Sequence, residues 1–266
     1  MSVNTFDTPK SLLYLLICNI IATKAFKCEF VSDSEHTVSA QGASFRAHMD
    51  YEDAHADIEE YDVLLVPGGN TENALKGDGE PFKLIQAFVD LQKKDPSKER
   101  TLISICTGSL FLAKLGILQG LGATTHPDFY TKLEILCQEA ARRGDLEQTD
   151  VMEERYVVNN ARFALGENEE ENPFVFRKRP DGRRKSLARK GSNAWRESNR
   201  RRESIIQRAN LPLGGLRVIT SGGISTGLDA SLYLVSAMVS HESAEEVARY
   251  LQYTWNKGVT VDSIDV

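Results

Sequence analysis

Four short segments of the chain consist almost entirely of apolar and β-branched residues. They are Asp62–Val66, Thr101–Ile105, Tyr156–Asn160 and Leu216–Thr220. Continuous apolar runs of this length are typical of strands that are buried on both faces. Elsewhere apolar residues recur every three or four positions, which predicts helices over Pro9–Lys24, Pro81–Lys93, Asp128–Arg143, Thr226–Ser240 and Ser243–Lys257. Strands that alternate with helices predict an α/β fold, with a mainly parallel sheet covered by helices on both faces.

Weaker patterns occur between these segments. Phe26–Ser32 alternates between apolar and polar residues, which predicts a strand, whereas Asp33–Gly42 is polar and predicts turns. Gly122–His126 predicts a further short strand. Ser243 precedes two glutamates in the first turns of the last predicted helix, so we expect it to be the N-cap of that helix.

The region between Gly166 and Leu213 interrupts the pattern. Residues 177–208 contain 13 Lys and Arg against 3 Asp and Glu, whereas the rest of the chain contains 19 against 35. A segment with so little aliphatic periodicity buries too little apolar surface to offset the entropy of ordering it. We therefore predict one α/β domain formed by residues 1–166 and 213–266, with a disordered, charged insert over 167–212. The basic residues before Ser186 and Ser204 resemble kinase recognition sites, which makes both serines candidate phosphorylation sites.

Composition excludes several functional classes. An acidic domain with one basic insert is unlike a nucleic-acid-binding fold, so no nucleic acid partner is expected. The four cysteines lack the spacing of metal ligands, so no metal is predicted. The apolar run Leu12–Ala22 is too short to span a membrane, and Asp7 with a single Lys10 is a poor start for a signal peptide. We expect a cytoplasmic protein with free thiols and no membrane partner.

Cys106 lies where the predicted strand Thr101–Ile105 ends and a helical pattern begins. A nucleophile elbow places its reactive residue on such a sharp turn between a strand and a helix. Backbone N–H groups at the start of the helix point towards the sulfur, and the helix dipole favours the thiolate. A lone cysteine in an apolar segment is more often a small buried residue. The functional interpretation therefore depends on which residues lie near Cys106.

Candidate partners for Cys106 follow three other predicted strands. The carboxyl ends of parallel strands meet at one edge of a sheet, and this edge is where α/β proteins bind their ligands. At such an edge, a residue without a Cβ lets the backbone approach a ligand, and a residue that can transfer a proton can act as an acid or base. The candidates are Gly68, Gly69, His126, Gly222 and Gly223.

Each of these candidates also has a structural interpretation. Gly68 and Gly69, with the Thr107 N–H, are predicted to form an oxyanion hole for an adduct on the sulfur, or simply to end a strand. His126 is a candidate acid or base for Cys106, or a structural histidine. The Thr107 hydroxyl either caps the helix or orients the substrate.

Three stretches together resemble the PfpI/ThiJ branch of the class I glutamine amidotransferase-like superfamily, which includes the parkinsonism-associated deglycase. They are Asp62–Gly69 with its P-G-G, Ser104–His126 with C-T-G and A-T-T-H, and Val218–Val235 with T-S-G-G-I-S-T-G-L-D. The resemblance covers residues 27–150 and 213–252 and is closest to isonitrile hydratases. It implies a flavodoxin-like three-layer sandwich and a cofactor-free homodimer that acts on a small-molecule substrate.

The resemblance also implies roles for individual residues. Cys106 matches the family nucleophile, and Gly69 with Thr107 matches the backbone that binds the oxyanion. Thr107 further matches the threonine that adjoins the nucleophile in isonitrile hydratases. His126 matches the histidine near the cysteine, although Pro127 follows it where many relatives carry an aromatic residue.

The N-terminus departs from the family pattern. Relatives begin with an apolar strand, followed by an acidic residue that hydrogen-bonds the sulfur and supplies a proton. Here only Met1–Phe6 precede the first predicted helix, so the usual first strand has no clear counterpart. Asp7 is the nearest match to the acidic position and is predicted to move the proton.

These features together predict a cysteine-dependent hydratase or hydrolase that converts an isonitrile to an N-substituted formamide, a lyase-type reaction. In this hypothesis Cys106 attacks the electrophilic carbon, Thr107 and Gly69 hold the adduct, and Asp7 transfers protons. One alternative is a glyoxalase-like or deglycase-like enzyme that uses Cys106 and His126. The other alternative is a non-catalytic protein in which Cys106 senses oxidation or binds a ligand.

Overall fold

The computed structural model describes residues 26–38, 44–69, 71, 74–144, 147–161, 175–178 and 211–261. Its strands are β1 (His36–Val38), β2 (Ser44–Arg46), β3 (Val63–Val66), β4 (Thr101–Ile105), β5 (Gly122–Ala123), β6 (Asp150–Val151), β7 (Tyr156–Asn159), β8 (Val175–Lys178), β9 (Arg217–Ser221) and β10 (Gly258–Val261). Its α-helices are α1 (Tyr51–Ala56), α2 (Phe82–Lys94), α3 (Ser109–Lys114), α4 (Tyr130–Gly144), α5 (Ile224–Met238) and α6 (His241–Tyr250).

Six of these strands form the central sheet, in the order β3–β4–β9–β7–β10–β8. Strands β3, β4 and β9 run parallel to one another, β7 is antiparallel to β9, and β10 and β8 are parallel to β7. The sheet is therefore mixed but mostly parallel, which confirms the predicted class. Because β7 runs in the opposite direction, its amino-terminal end lies at the same edge as the carboxyl ends of β3, β4 and β9.

Helices cover both faces of the sheet, as predicted for a three-layer sandwich. On one face, Phe88 of α2, Leu110 of α3 and Leu133 of α4 belong to one buried cluster with strand residues such as Val218. On the other face, α5 packs on the sheet through Leu234, and α6 packs on α5. Strands β5 and β6 form a small separate sheet, and β1 and β2 form a hairpin.

A buried asparagine joins β7 to β5, the strand that leads into the A-T-T-H motif. The Asn159 amide donates to the Gly122 carbonyl at 2.8 Å and accepts from the Gly122 N–H at 2.9 Å. Asn159 exposes 1% of its surface, so removal of its amide leaves two backbone groups buried without a partner.

We expect Asn159→Ala to lower the free energy of unfolding by about 2–3 kcal/mol in urea titrations. The matched control is Asn256→Ala, because the Asn256 side-chain amide is exposed and, within the described part of the chain, donates only to the Thr254 carbonyl at 2.9 Å. The control should change stability by no more than about 0.5 kcal/mol. Equal effects of the two substitutions would contradict the role given to the Asn159 amide.

Two predictions near the start of the described chain are wrong. Phe26–Ser32 forms only an isolated bridge between Val31 and Met49, not a strand. Its alternating Phe26, Cys28 and Phe30 instead pack against the buried cluster that contains Cys106. Apolar alternation reports burial, and here burial occurs without strand pairing. The polar segment predicted as turns contributes β1, which pairs with β2.

The last predicted helix begins and ends earlier than expected. Its N-cap is Ser240, whose hydroxyl accepts from the Ser243 N–H at 3.1 Å, so the prediction of Ser243 as the cap is wrong. The helix ends at Tyr250 because Gln252 adopts a left-handed φ of 53°. The Gln252 and Tyr253 N–H groups then bond back into the last turn, in the pattern of a Schellman motif. Beyond this helix, Gly258–Val261 form β10, a strand that was not predicted from the sequence.

One segment within the predicted insert forms regular structure. Val175–Lys178 is the edge strand β8 and pairs with β10, so the expectation of disorder throughout 167–212 is wrong at this segment. Val175 and Phe176 have high strand propensity, and the charged residues after them suit an edge strand. Most of the insert and the helix predicted over Pro9–Lys24 lie outside the described residues.

Candidate active site

Cys106 begins a single 3-10 turn, Cys106–Gly108, between β4 and α3. Its φ is 58°, a left-handed conformation that is strained for any residue with a side chain. The chain therefore turns sharply at the cysteine, as a nucleophile elbow requires. Backbone strain of this kind concentrates at functional sites because the surrounding structure has to enforce it.

Two glycines bring the end of β3 directly against this turn. A Cβ on Gly68 would lie 2.8 Å from the Cys106 Cβ and 2.8 Å from the Thr107 nitrogen. A Cβ on Gly108 would lie 2.4 Å from the Val66 carbonyl oxygen. Neither position has room for a side chain. Gly68 therefore lets the end of β3 contact the elbow, whereas its predicted role beside a bound adduct stays a prediction.

Two hydroxyl groups fix the carbonyl of the strained residue. The Ser109 Oγ donates to the Cys106 carbonyl at 3.2 Å, and the Thr125 Oγ1 donates to the same oxygen at 3.1 Å. Sequence reasoning missed both residues. The available signal was their position, since Ser109 follows C-T-G and Thr125 is the second threonine of A-T-T-H. Cys106 itself exposes 2% of its surface, so access to the sulfur is narrow.

Thr107 connects the elbow to the P-G-G turn after β3. Its Oγ1 donates to the Gly69 carbonyl at 3.0 Å and accepts from the Gly69 N–H at 2.9 Å, and Thr107 has no exposed surface. The Gly69 N–H, predicted to face an adduct, therefore bonds to the Thr107 side chain. The Thr107 N–H lies in the first turn after β4, where amides have no intrahelical acceptor.

We expect Thr107→Val to lower the free energy of unfolding by about 1–3 kcal/mol, because it keeps the shape but leaves both polar groups of Gly69 unpartnered. Thr107→Ser keeps the hydroxyl and should lose less than about 1 kcal/mol. Urea unfolding monitored by circular dichroism distinguishes the two variants. A valine variant as stable as the serine variant would show that the bridge to Gly69 contributes nothing.

His126 lies beside the Gly222–Gly223 turn that follows β9. Its Cδ2 would be 3.9 Å from a Cβ on Gly223. Its Nδ1 faces the Asp128 N–H at 3.3 Å and an Asp128 carboxylate oxygen at 3.5 Å. Among the described residues, the ring contacts Asp128 and Phe129 and makes no hydrogen bond to Cys106.

Gly222 completes the edge formed by the ends of β3, β4 and β9. A Cβ on Gly222 would lie 3.3 Å from the Thr125 carbonyl, and the Gly222 N–H donates to the Arg155 carbonyl at 3.1 Å. The structure thus brings the predicted glycines, Cys106 and the A-T-T-H segment to one edge of the sheet. Asp7, Ser186 and Ser204 lie outside the described residues.

Two structural features bear on ligand classes. Within the described ranges, no group of three His, Cys, Asp or Glu side chains lies close enough together to hold a metal ion. None of the described helices combines the length and the apolar character needed to span a membrane.

Similar folds occur among solved structures. The chain superposes on DJ-1 of Schizosaccharomyces pombe with a TM-score of 0.56 and 14% identity, over 95% of this chain and 96% of that one. It superposes on oxidized DJ-1 of Toxoplasma gondii with a TM-score of 0.53 and 16% identity, over 96% of this chain and 97% of that one. At these identities the likeness establishes the fold alone.

Sequence relatives narrow the assignment. The chain is 35% identical to isonitrile hydratase of Pseudomonas putida over 80 residues, which are 30% of this chain and 32% of that enzyme. The matched part thus spans about a third of the relative. The profile of the DJ-1/PfpI family matches residues 12–162, more than half of the chain. The chain belongs to the DJ-1/PfpI family.

Proposed function

We propose that this protein is a cofactor-free, cysteine-dependent hydratase that converts a small isonitrile to the N-substituted formamide. The observation that carries the proposal is the backbone of Cys106, held at a φ of 58° between the P-G-G turn and α3. The adjoining threonine and the partial likeness to an isonitrile hydratase support the same reaction class.

The reaction follows from the chemistry of the isonitrile carbon. The Cys106 thiolate attacks that carbon, a C–S bond forms, and a proton adds to the carbon to give a thioimidate. Water then adds to the thioimidate carbon, the C–S bond breaks, and the thiolate leaves as the formamide forms. The net reaction adds one water to the isonitrile, with no oxidation or reduction, and regenerates the thiol.

The residues around Cys106 suit this sequence of steps. The Thr107 N–H directly follows Cys106 in the turn after β4 and is the proposed donor to negative charge that develops on the adduct. The Thr107 hydroxyl keeps the Gly69 peptide in place rather than contacting the adduct. Asp7 remains the predicted source of the proton, from the family resemblance.

Access to the sulfur favours a slender substrate. Cys106 is almost fully buried, so we expect steric exclusion of electrophiles that are branched next to the reacting carbon. An isonitrile presents its reactive carbon at the tip of a linear group and can enter end-on. The 2-oxoaldehydes of the alternative hypothesis carry a ketone beside the reactive aldehyde carbon and are therefore wider at the reacting end. The His126 that they would need makes no hydrogen bond to Cys106 among the described residues.

A paired assay tests the reaction class. The purified protein is incubated with cyclohexyl isonitrile, and the formamide proton is followed by NMR; methylglyoxal is tested in parallel for lactate. We expect enzyme-dependent formamide and no lactate. Lactate without formamide would establish the glyoxalase alternative, and neither product would favour the non-catalytic one.

We also propose that the protein acts as a homodimer in the cytoplasm. The family resemblance supports the dimer, and the three cysteines of the described chain, Cys28, Cys106 and Cys137, form no disulfide, as a reducing compartment favours. Light scattering coupled to size exclusion should give twice the mass of one chain. A monomer mass would overturn the dimer without affecting the proposed chemistry.

A further inference from the structure

A fully buried carboxylate lies close to the candidate active site and takes no part in the proposed chemistry. Asp229, in α5, exposes none of its surface. One carboxylate oxygen accepts from the Arg155 Nε at 2.7 Å and lies 2.6 Å from the Arg155 Nη2. The other oxygen accepts from the Tyr253 hydroxyl at 3.0 Å and from the Asn256 N–H at 2.8 Å. Asp229 therefore fixes the Arg155 guanidinium in one orientation.

Arg155 lies at the same edge of the sheet as Cys106. It immediately precedes β7, whose first residue, Tyr156, pairs with Ser221 at the end of β9. The Arg155 carbonyl accepts from the Gly222 N–H at 3.1 Å, and Gly222 contacts the segment that holds the Cys106 carbonyl.

The side chains of Cys106 and Arg155 also lie on the same face of the sheet. Cys106 belongs to a buried cluster with Ala230, the residue next to Asp229 on α5. Arg155 reaches Asp229 on that same helix. A molecule bound at Cys106 and extending towards the start of α5 therefore approaches the guanidinium.

The guanidinium keeps donors for a further partner. Its Nε and Nη2 bond to Asp229, the Tyr253 hydroxyl also interacts with it, and its side chain is 40% exposed. A guanidinium has five N–H groups, so some of them stay available to a further partner. Burial alone would lower the pKa of the Arg155 guanidinium, but its bonds to Asp229 raise that pKa overall, so the charge is permanent. A planar, fixed guanidinium with open N–H groups is the protein group best suited to a carboxylate.

We propose that Arg155 is a specificity-determining residue that binds a carboxylate on the substrate, with Asp229 as its positioning residue. The inference rests on the proposed function for the identity of the reacting group. The Arg155 guanidinium would make the enzyme prefer isonitriles that carry a carboxylate close to the reactive carbon over neutral isonitriles. Isocyanoacetate and its product N-formylglycine are the smallest molecules of this class.

Binding of the product tests the carboxylate site without any turnover. Titration calorimetry compares N-formylglycine with its neutral methyl ester, on the wild type and on the double variant Arg155→Gln/Asp229→Asn. The double variant removes both charges, because Arg155→Gln alone leaves a buried carboxylate unpaired and endangers the fold. The control is Arg46→Gln/Glu35→Gln, which removes an exposed ion pair of 3.1 Å in the β1–β2 hairpin.

We expect the wild type and the control to bind N-formylglycine about tenfold more tightly than the ester. The double variant should bind the two equally, with the same melting cooperativity as the wild type. Equal binding by the wild type, no binding of either molecule, or a preference that survives in the double variant would each overturn the proposal.

The same pair of molecules separates this inference from the proposed function. If N-formylglycine is preferred through Arg155 but isocyanoacetate is not consumed, the carboxylate site stands and the hydratase assignment fails. If isocyanoacetate and its methyl ester are consumed with equal kcat/KM, the hydratase assignment stands and the carboxylate site is overturned. A kcat/KM ratio near ten, lost in the double variant, supports both.

Discussion

Gly108→Ala is expected to destabilise the protein more than an alanine substitution at any other glycine near Cys106. The added Cβ would lie 2.4 Å from the Val66 carbonyl oxygen and 2.9 Å from the Pro67 carbonyl oxygen. Both contacts are with backbone, so no side chain can rotate away to relieve them. The end of β3 and the elbow must move apart, which breaks the close packing that presents Cys106.

The expected loss is about 3 kcal/mol or more of unfolding free energy, or roughly 6–12 °C in melting temperature. Differential scanning calorimetry measures the shift. Gly79→Ala is the matched control, since a Cβ on Gly79 meets no atom within 4 Å, and it should shift the melting temperature by less than about 2 °C. Equal shifts in the two variants would contradict the contact between β3 and the elbow.

Cys106→Ser is expected to abolish isonitrile consumption while leaving the fold intact. Serine keeps the size and the left-handed backbone of residue 106 but is a far weaker nucleophile than a thiolate at neutral pH. The fall in kcat should be at least about 1,000-fold, as for loss of a nucleophile in other covalent enzymes. The rate of isonitrile consumption is measured from the decay of the isonitrile infrared absorption.

Cys28→Ser is the control for the loss of a thiol. Cys28 packs against the same buried cluster as Cys106 but lies on the segment that precedes β1. We expect it to retain activity within about twofold. A serine variant at 106 that keeps substantial activity, with Cys28→Ser inactive, would reassign the nucleophile.

The strands and helices with an unambiguous period were predictable from the sequence. β3 and β4 are continuous apolar runs, and α2 shows a regular apolar face, so local pattern and final burial agree. The elbow was predictable because a β-rich run, a cysteine and a helical pattern follow one another without a gap. The direction of β7 was not predictable, because the residue types of a four-residue strand do not indicate its direction relative to the neighbouring strands.

Two elements were misassigned because the feature that determines each of them has no signal in the local sequence. Helix α6 ends at Tyr250, and the residue that terminates it, Gln252, has a left-handed φ that is normally a glycine conformation, so the sequence carried no stop signal. Phe26–Ser32 has the alternation of a strand because one side of it packs on a buried cluster, but the bond pattern of a strand is nearly absent. The pattern of apolar residues reports which side chains are buried, but it does not report which backbone groups pair by hydrogen bonds.

The residues of the candidate site were likewise predictable only in part. Its strand-end residues were predictable because parallel strands place their carboxyl ends together. The partners that organise them were not, since they depend on contacts between distant segments. The Thr107 hydroxyl meets Gly69 across 38 positions, and Arg155 meets Asp229 across 74. No local pattern indicates which of several hydroxyl or charged residues will meet at such distances.

Trapping the adduct on Cys106 tests the central claim most directly. The protein is mixed with cyclohexyl isonitrile, quenched with acid within milliseconds, digested and examined by mass spectrometry. The proposed chemistry predicts that the peptide carrying Cys106 gains the full mass of the isonitrile, and that this species decays as formamide appears. Formamide production at the wild-type rate with an unmodified Cys106, or by Cys106→Ala, would contradict it.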